Sequence, residues 1–284
     1  MFAQQIREPV RGLVERTHGR TRGPITRLVS PSDLGDLSKP FVFLDHAVFE
    51  AGGERIPMEV LWHPHSGIAT VTVVMEGTIK YAETTGKSGV LETGGVEWMR
   101  AGNGVWHTGE AAKGPVRVFQ LWVALPPELE NGPNASHYAK REEIPVTGPA
   151  RVILGEYGGA KSPIAAPPMT YLDVSLKDGE RFRYEPPKGH GVAWIAADHG
   201  ELWTASSQSP IDGGEIAIFE QSEEPIDFVA EGNTRFVLGS ARQHPHDLFL
   251  GNYSVHTSAE GLYRGEQEIR RIGRELRAKG TISG

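Results

Sequence analysis

HPHSGIATVTVVMEGTIKY, residues 63–81, places two histidines directly before an apolar, β-branched run. The run 68–75 has the composition of a short buried strand, and Glu-Gly follows it at the spacing of a two-residue hairpin. Because side chains two residues apart leave a strand on the same face, His63 and His65 are expected to point towards one place. The segment therefore predicts a β-hairpin with two adjacent imidazoles at its start.

Strand-like runs separated by glycine-containing turns continue on both sides of this segment. In the first half of the chain these runs are 40–49, 68–75, 78–82, 96–101 and 116–124. In the second half they are 169–176, 181–184, 192–197, 201–205, 215–220, 226–230 and 234–239. Short runs of this kind, repeated throughout a chain, predict an all-β protein.

The length of 284 residues is suited to two domains, each with its own hydrophobic core. Glycine occupies 35 positions and proline 20, which indicates many tight turns between short strands. Residues 125–150 are rich in proline, glycine and charge, as expected of a connection between domains. We therefore predict an N-terminal domain of residues 1–145 and a C-terminal domain of residues 146–284.

The two ends of the chain depart from the strand pattern. Residues 1–39 carry spaced arginines and predict an edge strand on the core, with a basic arm as the alternative. After Thr257, which stands at capping-box spacing from Glu260, apolar residues recur at helical intervals and predict one amphipathic helix. We expect Gly265 and Gly273 to interrupt this helix, and its C-terminal arginines to form a solvated face that suits the helix dipole.

The charge and composition exclude several classes of function. Lys and Arg together number 29 against 36 Asp and Glu, so the net charge of −7 provides no general attraction for nucleic acid or an anionic membrane. The absence of cysteine excludes disulfides and zinc–thiolate sites. The sequence has neither a run of 18 apolar residues nor the features of a secretory signal, which predicts a cytoplasmic protein without membrane association.

A third histidine stands in AGNGVWHTGE, residues 101–110, where a Gly-Asn-Gly corner precedes Val105, Trp106 and His107. A small barrel would bring His107 beside His63 and His65, and Glu110 could add a carboxylate. Three imidazoles and one carboxylate are suited to Fe(II), Mn, Ni, Cu or Zn, with positions left open for water or substrate. Of these metals we expect Fe(II).

The remaining histidines lack a comparable setting. The second His-Pro-His sequence, at His244 and His246, is followed by Asp247 but by no third ligand after a glycine corner. We expect it to bind no metal. Isolated histidines are usually ordinary core or surface residues, and we interpret the following five in that way: His18, His46, His137, His199 and His256.

Four segments, in this order and at these intervals, resemble the N-terminal domain of the pirin-like proteins. They are PFVFLDHAVF (40–49), HPHSGIATVTVVMEGTIKY (63–81), GGVEWMRAGNGVWHTGE (94–110) and FQLWVALPPELE (119–130). The resemblance implies a bicupin, which consists of two cupin-type β-barrels, each a double-stranded β-helix, here followed by the C-terminal helix. It also implies a metal site in the N-terminal barrel and a C-terminal barrel without one.

The resemblance assigns His63, His65 and His107 as metal ligands. The family's fourth ligand is a Glu two residues after the third histidine, but this chain has Gly109 there and Glu110 one position later. Either Glu110 reaches the metal through an altered turn, or a water takes the place of the carboxylate. The family also has a Glu four residues after the second histidine, where this chain has Ala69.

Three functions follow as hypotheses. The first is a metal-dependent dioxygenase resembling the quercetin 2,3-dioxygenase activity of pirin-like proteins, acting on a flavonol or related enol or phenol with Glu110 as general base. Trp62, Met99 and Trp106 would then line an apolar cavity, although each is also an ordinary core residue. The second is a metal-sensing regulator that binds a protein partner, and the third is a metal-free binder of small molecules.

Overall fold

A computed structural model describes residues 10–50, 62–112 and 114–282 of the chain. The chain forms two compact units. One, called here the histidine unit, comprises Arg20–Ile144 and His244–Gly284; the second unit comprises the residues up to Gly19 together with Pro145–Gln243. One boundary between the units lies near residue 145, and each terminal segment groups with the unit that is more distant from it in sequence.

The first half of the chain contains twelve strands. They are β1 (Leu13–Thr17), β2 (Arg20–Arg22), β3 (Ile25–Val29), β4 (Phe41–Phe49), β5 (His63–His65), β6 (Ile68–Glu76), β7 (Thr78–Glu83), β8 (Ser88–Glu92), β9 (Val96–Arg100), β10 (Val105–Ala111), β11 (Val116–Ala124) and β12 (Ala135–Ala139). Two one-turn helices, α1 (Gly35–Ser38) and α2 (Pro127–Glu130), connect some of them.

The second half contains twelve further strands and a long helix. They are β13 (Val146–Thr147), β14 (Ala150–Leu154), β15 (Glu156–Tyr157), β16 (Ala160–Lys161), β17 (Met169–Leu176), β18 (Arg181–Tyr184), β19 (Val192–Thr204), β20 (Ile211–Asp212), β21 (Ile216–Phe219), β22 (Ile226–Ala241), β23 (Phe249–Leu250), β24 (Val255–His256) and α3 (Ala259–Ala278). The predicted all-β class and C-terminal helix are confirmed.

Two antiparallel sheets build the histidine unit. The larger has the order β12-β9-β6-β11-β4-β3-β2, and the smaller has the order β5-β10-β7-β8. Strand β6 is central in the larger sheet, and its residues from Ile68 to Met75 are all buried, as expected for a continuous β-branched run. The sharp corner at Gly102 then leads the chain from β9 in the larger sheet to β10 in the smaller one.

Glycine is required at that corner. Gly102 has a φ of +52°, and a Cβ atom there would lie 2.3 Å from the carbonyl oxygen of Gly132. Only glycine combines a left-handed backbone with so close an approach. The corner positions the start of β10 and, with it, His107.

The second unit is built around a nine-stranded antiparallel sheet. Its strands β19 and β22 each join two segments that the sequence predicted as separate strands. Gly200 and Gly232, which the sequence indicated as turns, lie inside these strands with φ of +80° and +73°. The β19–β22 register shifts between Ala197 and Glu201, so a bulge replaces the predicted turn and pairing continues.

Helix α3 is continuous, and the predicted interruption at Gly265 and Gly273 is wrong. Ser258, one residue after the predicted Thr257, caps the helix by accepting a hydrogen bond from the backbone N–H of Gly261. Gly261, Gly265 and Gly273 lie on the buried face of the helix, where the lack of a side chain permits close packing.

Among the described residues no helix is long and apolar enough to span a membrane.

We predict that Gly265→Ala destabilises the protein by about 1–3 kcal/mol, because the new methyl group overpacks the helix interface. A Cβ at this position would lie 2.4 Å from Ser66 Oγ and 2.6 Å from His256 Nε2. This steric cost opposes the gain of about 1 kcal/mol that Ala normally brings to a helix. Urea unfolding measures the change, with the exposed Arg264→Ala as control; a more stable Gly265→Ala protein would show that the interface is loose.

Candidate metal centre

His63, His65 and His107 lie together in the histidine unit. Strands β5 and β10 pair antiparallel with His107 directly opposite His63 and Val105 opposite His65. Residues opposite one another on paired strands share a face of the sheet, so this register gathers all three imidazoles. The Nε2 atoms of His63 and His107 are 2.9 Å apart, and one ligand atom from each of the three histidines lies within 4.8 Å of the others.

Neighbouring groups fix the orientation of two of these rings. The Nδ1 atom of His65 is 3.0 Å from the carbonyl oxygen of Tyr253, to which it donates a hydrogen bond as Nδ1–H. The Nδ1 atom of His107 faces Oε1 of Glu97 at 3.5 Å, an electrostatic contact longer than a hydrogen bond. In both rings Nε2 is therefore the nitrogen directed at the shared point.

The charge state of His65 suits a ligand. Burial, reinforced by the nearby His63 and His107, lowers the pKa of His65 well below its usual value of 6.5. Its imidazole is therefore neutral at pH 7, as metal coordination requires.

Glu110, predicted as a metal ligand and general base, does not lie with the three histidines. It is three residues from His107 in β10, an odd separation that places it on the opposite face of the strand. There it is exposed and pairs in register with Lys80. Gly109 has no side chain, so neither position supplies a carboxylate to the cluster.

Glu97 supplies the carboxylate that sequence reasoning missed. It is only 5% exposed, and its Oε2 accepts a hydrogen bond from the hydroxyl of Thr72, which pairs with it across β6 and β9. The sequence offered a sign of this role, because Glu97 is a charged residue between Val96 and Trp98 in a predicted strand. Buried acidic residues are rare and are usually paired or functional.

Polar side chains continue in register from Glu97 across the larger sheet. Thr72 lies opposite Gln120, Gln120 opposite Asp45, and Asp45 opposite Arg27. Thr72 Oγ1 is 2.8 Å from Gln120 Oε1, and Arg27 binds both oxygens of Asp45 at 2.8 and 2.9 Å. This row of five polar residues lies along the cavity that also contains the three histidines.

The cavity has a volume of about 540 Å³, within the range of roughly 300–1,000 Å³ usual for small-molecule sites. Its wall beside His65 is aromatic: Trp122 stacks on Phe43 with ring centroids 4.0 Å apart and meets the His65 ring at 4.8 Å. Trp62 and Trp106 also line it, as predicted. Met99 is instead fully buried and packs with Ala101 and Val105.

The other histidines have different surroundings. The rings of His244 and His246 are 5.3 Å apart, and burial, His246 and Lys39 lower the pKa of His244 to about 4. Within the described ranges neither belongs to a group of three potential metal ligands.

His18, which the sequence predicted to be isolated, lies with Asp212 and Glu215. Glu215 is already bound through both oxygens by Arg16, whose positive charge disfavours a cation there.

Comparison with known proteins supports the predicted family. The pirin family model matches residues 23–123. A pirin-like protein of Caulobacter vibrioides is 31% identical over 219 residues, which cover 74% of this chain and 78% of the relative.

Solved structures share the fold. The crystal structure of quercetin 2,3-dioxygenase from Acinetobacter baumannii matches with a TM-score of 0.82 at 23% identity, over 93% of this chain and 98% of that one. A bacterial pirin from Escherichia coli in complex with nickel(II) matches with a TM-score of 0.61 at 18% identity, over 82% of this chain and 98% of that one. These matches confirm the bicupin fold, and with the sequence relatives they show that the chain belongs to the pirin family.

Proposed function

We propose that this protein is a metal-dependent dioxygenase of the quercetin 2,3-dioxygenase type, acting on a flavonol or a related enol or phenol. The observation that carries the proposal is the convergence of three histidines in an aromatic cavity large enough for a small molecule. The dioxygenase named in the Acinetobacter baumannii structure has the same fold, which supports the proposal.

The donor set suits one divalent transition metal. Two nitrogens bound to one ion at roughly 2.1 Å and at right angles lie about 3 Å apart, close to the 2.9 Å between Nε2 of His63 and His107. Three neutral imidazoles are typical ligands for Fe, Ni, Cu and Zn. We propose His63, His65 and His107 as the ligands and Fe(II) as the metal, with Mn, Ni, Cu or Zn as alternatives; the nickel(II) complex of the Escherichia coli pirin supports a divalent ion.

The surrounding side chains define how a substrate would be held. A divalent metal supplies the Lewis acidity that lowers the pKa of an enol or phenol hydroxyl and the redox chemistry of a dioxygenase. The stacked Phe43 and Trp122 provide a flat apolar surface for an aromatic ring beside His65. The guanidinium of Arg27 lies 4.1 Å from the centre of the Phe43 ring and is half-exposed, so it is available to the substrate's polar groups.

Glu97 acts on the metal centre through His107. Its buried carboxylate lies 3.5 Å from His107 Nδ1. This contact favours the tautomer in which Nδ1 carries the proton and the lone pair of Nε2 is free to bind a metal. The hydroxyl of Thr72 holds the other carboxylate oxygen in place. We propose that Glu97 partly replaces the missing family carboxylate, because it offsets the charge of the cation without being a ligand.

We predict that the protein loaded with Fe(II) or Mn(II) consumes dioxygen and cleaves quercetin under aerobic conditions. The reason is that the three histidines and the aromatic wall would hold a metal and a flavonol hydroxyl in one cavity. Loss of quercetin absorbance and oxygen uptake measure the reaction, with the same concentration of free metal as the reference. No activity above free metal, with every metal tried, would reject the dioxygenase proposal.

His107→Ala is expected to abolish retention of the metal without unfolding the protein, because the two remaining imidazoles form an incomplete ligand set. Elemental analysis after gel filtration measures occupancy, and circular dichroism measures folding. Full occupancy in a folded His107→Ala protein would exclude His107 as a ligand.

Glu97→Gln is expected to weaken metal binding by about 10- to 100-fold, the usual effect of losing a partner that orients a ligand. The substitution keeps the size of the side chain but removes its negative charge. Glu110→Gln is the matched control, because Glu110 is exposed on the face of β10 opposite to His107. Competition with a metal chelator measures both affinities. Equal metal affinities of the two variants would show that Glu97 does not support metal binding.

A further inference from the structure

A second cavity adjoins the histidine cavity. The two share four lining residues: Pro64, Trp106, Asn252 and Tyr253. Three of the four are tied to a proposed metal ligand, since Pro64 separates His63 from His65, Trp106 precedes His107, and the Tyr253 carbonyl accepts from His65. A molecule in the second cavity therefore lies beside the residues that hold the metal ligands.

Helix α3 forms the other wall of this second cavity, which we call the arginine cleft. Its helix residues are Glu266, Ile269, Arg270, Arg274 and Arg277. Three guanidinium groups thus face one carboxylate. The protein as a whole is acidic, with a net charge of −7, so this local excess of positive charge opposes the overall balance.

Two of these arginines have no acidic partner in the described part of the chain. On the same helix, Arg264 pairs with Glu260, Arg270 with Glu266, and Arg271 with Glu268 and Glu275. No ion pair or hydrogen bond of the Arg274 or Arg277 side chain is present among the residues described. Their donors are therefore available to an external anion.

Packing of the helix holds Arg277 towards the shared wall. A Cβ atom at Gly273 would lie 2.7 Å from Cζ2 of Trp106 and 3.5 Å from Nη1 of Arg277, so both side chains approach the same glycine. The indole N–H of Trp106 donates to the carbonyl oxygen of Ile269 at 2.8 Å and fixes the ring against the helix. Trp106 thus lies in the wall that the two cavities share.

We propose that the arginine cleft binds an anionic group, a carboxylate, sulfate or phosphate, of a small molecule whose aromatic part enters the histidine cavity. This inference rests on the proposed function, because it names a class of substrate for the same centre. Guanidinium groups bind such oxyanions through paired, charge-assisted hydrogen bonds. The preferred substrate is then an acidic phenol or enol rather than a neutral flavonol.

The test compares quercetin with quercetin that carries a sulfonate on its B ring. Calorimetry with the metal-loaded full-length protein at low salt should show about five- to tenfold tighter binding of the sulfonated ligand. This preference should largely disappear in the double variant Arg274→Gln/Arg277→Gln and at high salt. It should persist in Arg264→Gln, the matched control, because Arg264 is exposed on the same helix but lies outside the cleft.

Several outcomes separate the possibilities. Equal affinity of the wild-type protein for both ligands would contradict anion binding in the arginine cleft. A preference that the double variant retains would contradict it as well. If the double variant loses only thermal stability and keeps the preference, the two arginines serve the helix C-terminus instead. Inorganic sulfate should compete with the sulfonated ligand but not with quercetin, and competition against both would also contradict the proposal.

Failure of the dioxygenase proposal gives a different result. The sulfonate preference is a binding measurement and is repeated with metal-free protein, where the cleft alone contributes. A preserved preference without turnover of either ligand would support anion binding in the cleft and reject the dioxygenase activity. Turnover of both ligands without any preference would support the dioxygenase activity and reject anion binding in the cleft.

Discussion

The pairing of β5 with β10 is the constraint on which the candidate site depends. Strand β5 has only three residues, and two of them are histidines. Its antiparallel register sets His107 opposite His63. Because side chains alternate between faces, a slip of one residue would turn His107 away from the other two imidazoles. The glycine corner at Gly102 helps to prevent this slip, since it fixes where β10 begins after the chain leaves the larger sheet.

Much of this arrangement was predictable from local sequence. The spacing of His63 and His65 places both on one strand face whatever the fold, and the glycine corner indicated where His107 enters. Glu110 is close to His107 in sequence but not in space, because an odd spacing on a strand turns two side chains to opposite faces. Glu97 was missed for the opposite reason: it reaches His107 from a different sheet, and its partner Thr72 is recognisable only once β6 and β9 are paired.

Other differences also arise from contacts that are distant in sequence. Glycine in a helix usually lowers stability, so Gly265 and Gly273 indicated interruptions. In the folded protein their missing side chains accommodate Ser66, His256 and Trp106. The grouping of the final 41 residues, 244–284, with Arg20–Ile144 depends on the same contacts. Neither the helix periodicity nor the composition of residues 125–150 contains information about which sheet α3 covers.

Both segments of the histidine unit, Arg20–Ile144 and His244–Gly284, therefore contribute to one site. Tyr253, near the C-terminus, accepts from His65 and occupies the wall that both cavities share. Helix α3 then presses Ile269 and Gly273 against Trp106, the neighbour of His107. An anion bound by Arg274 and Arg277 would lie against that same wall. Because the cleft and the histidine cavity share four lining residues, a substrate's own charged group is a simpler occupant of the cleft than a separate regulator.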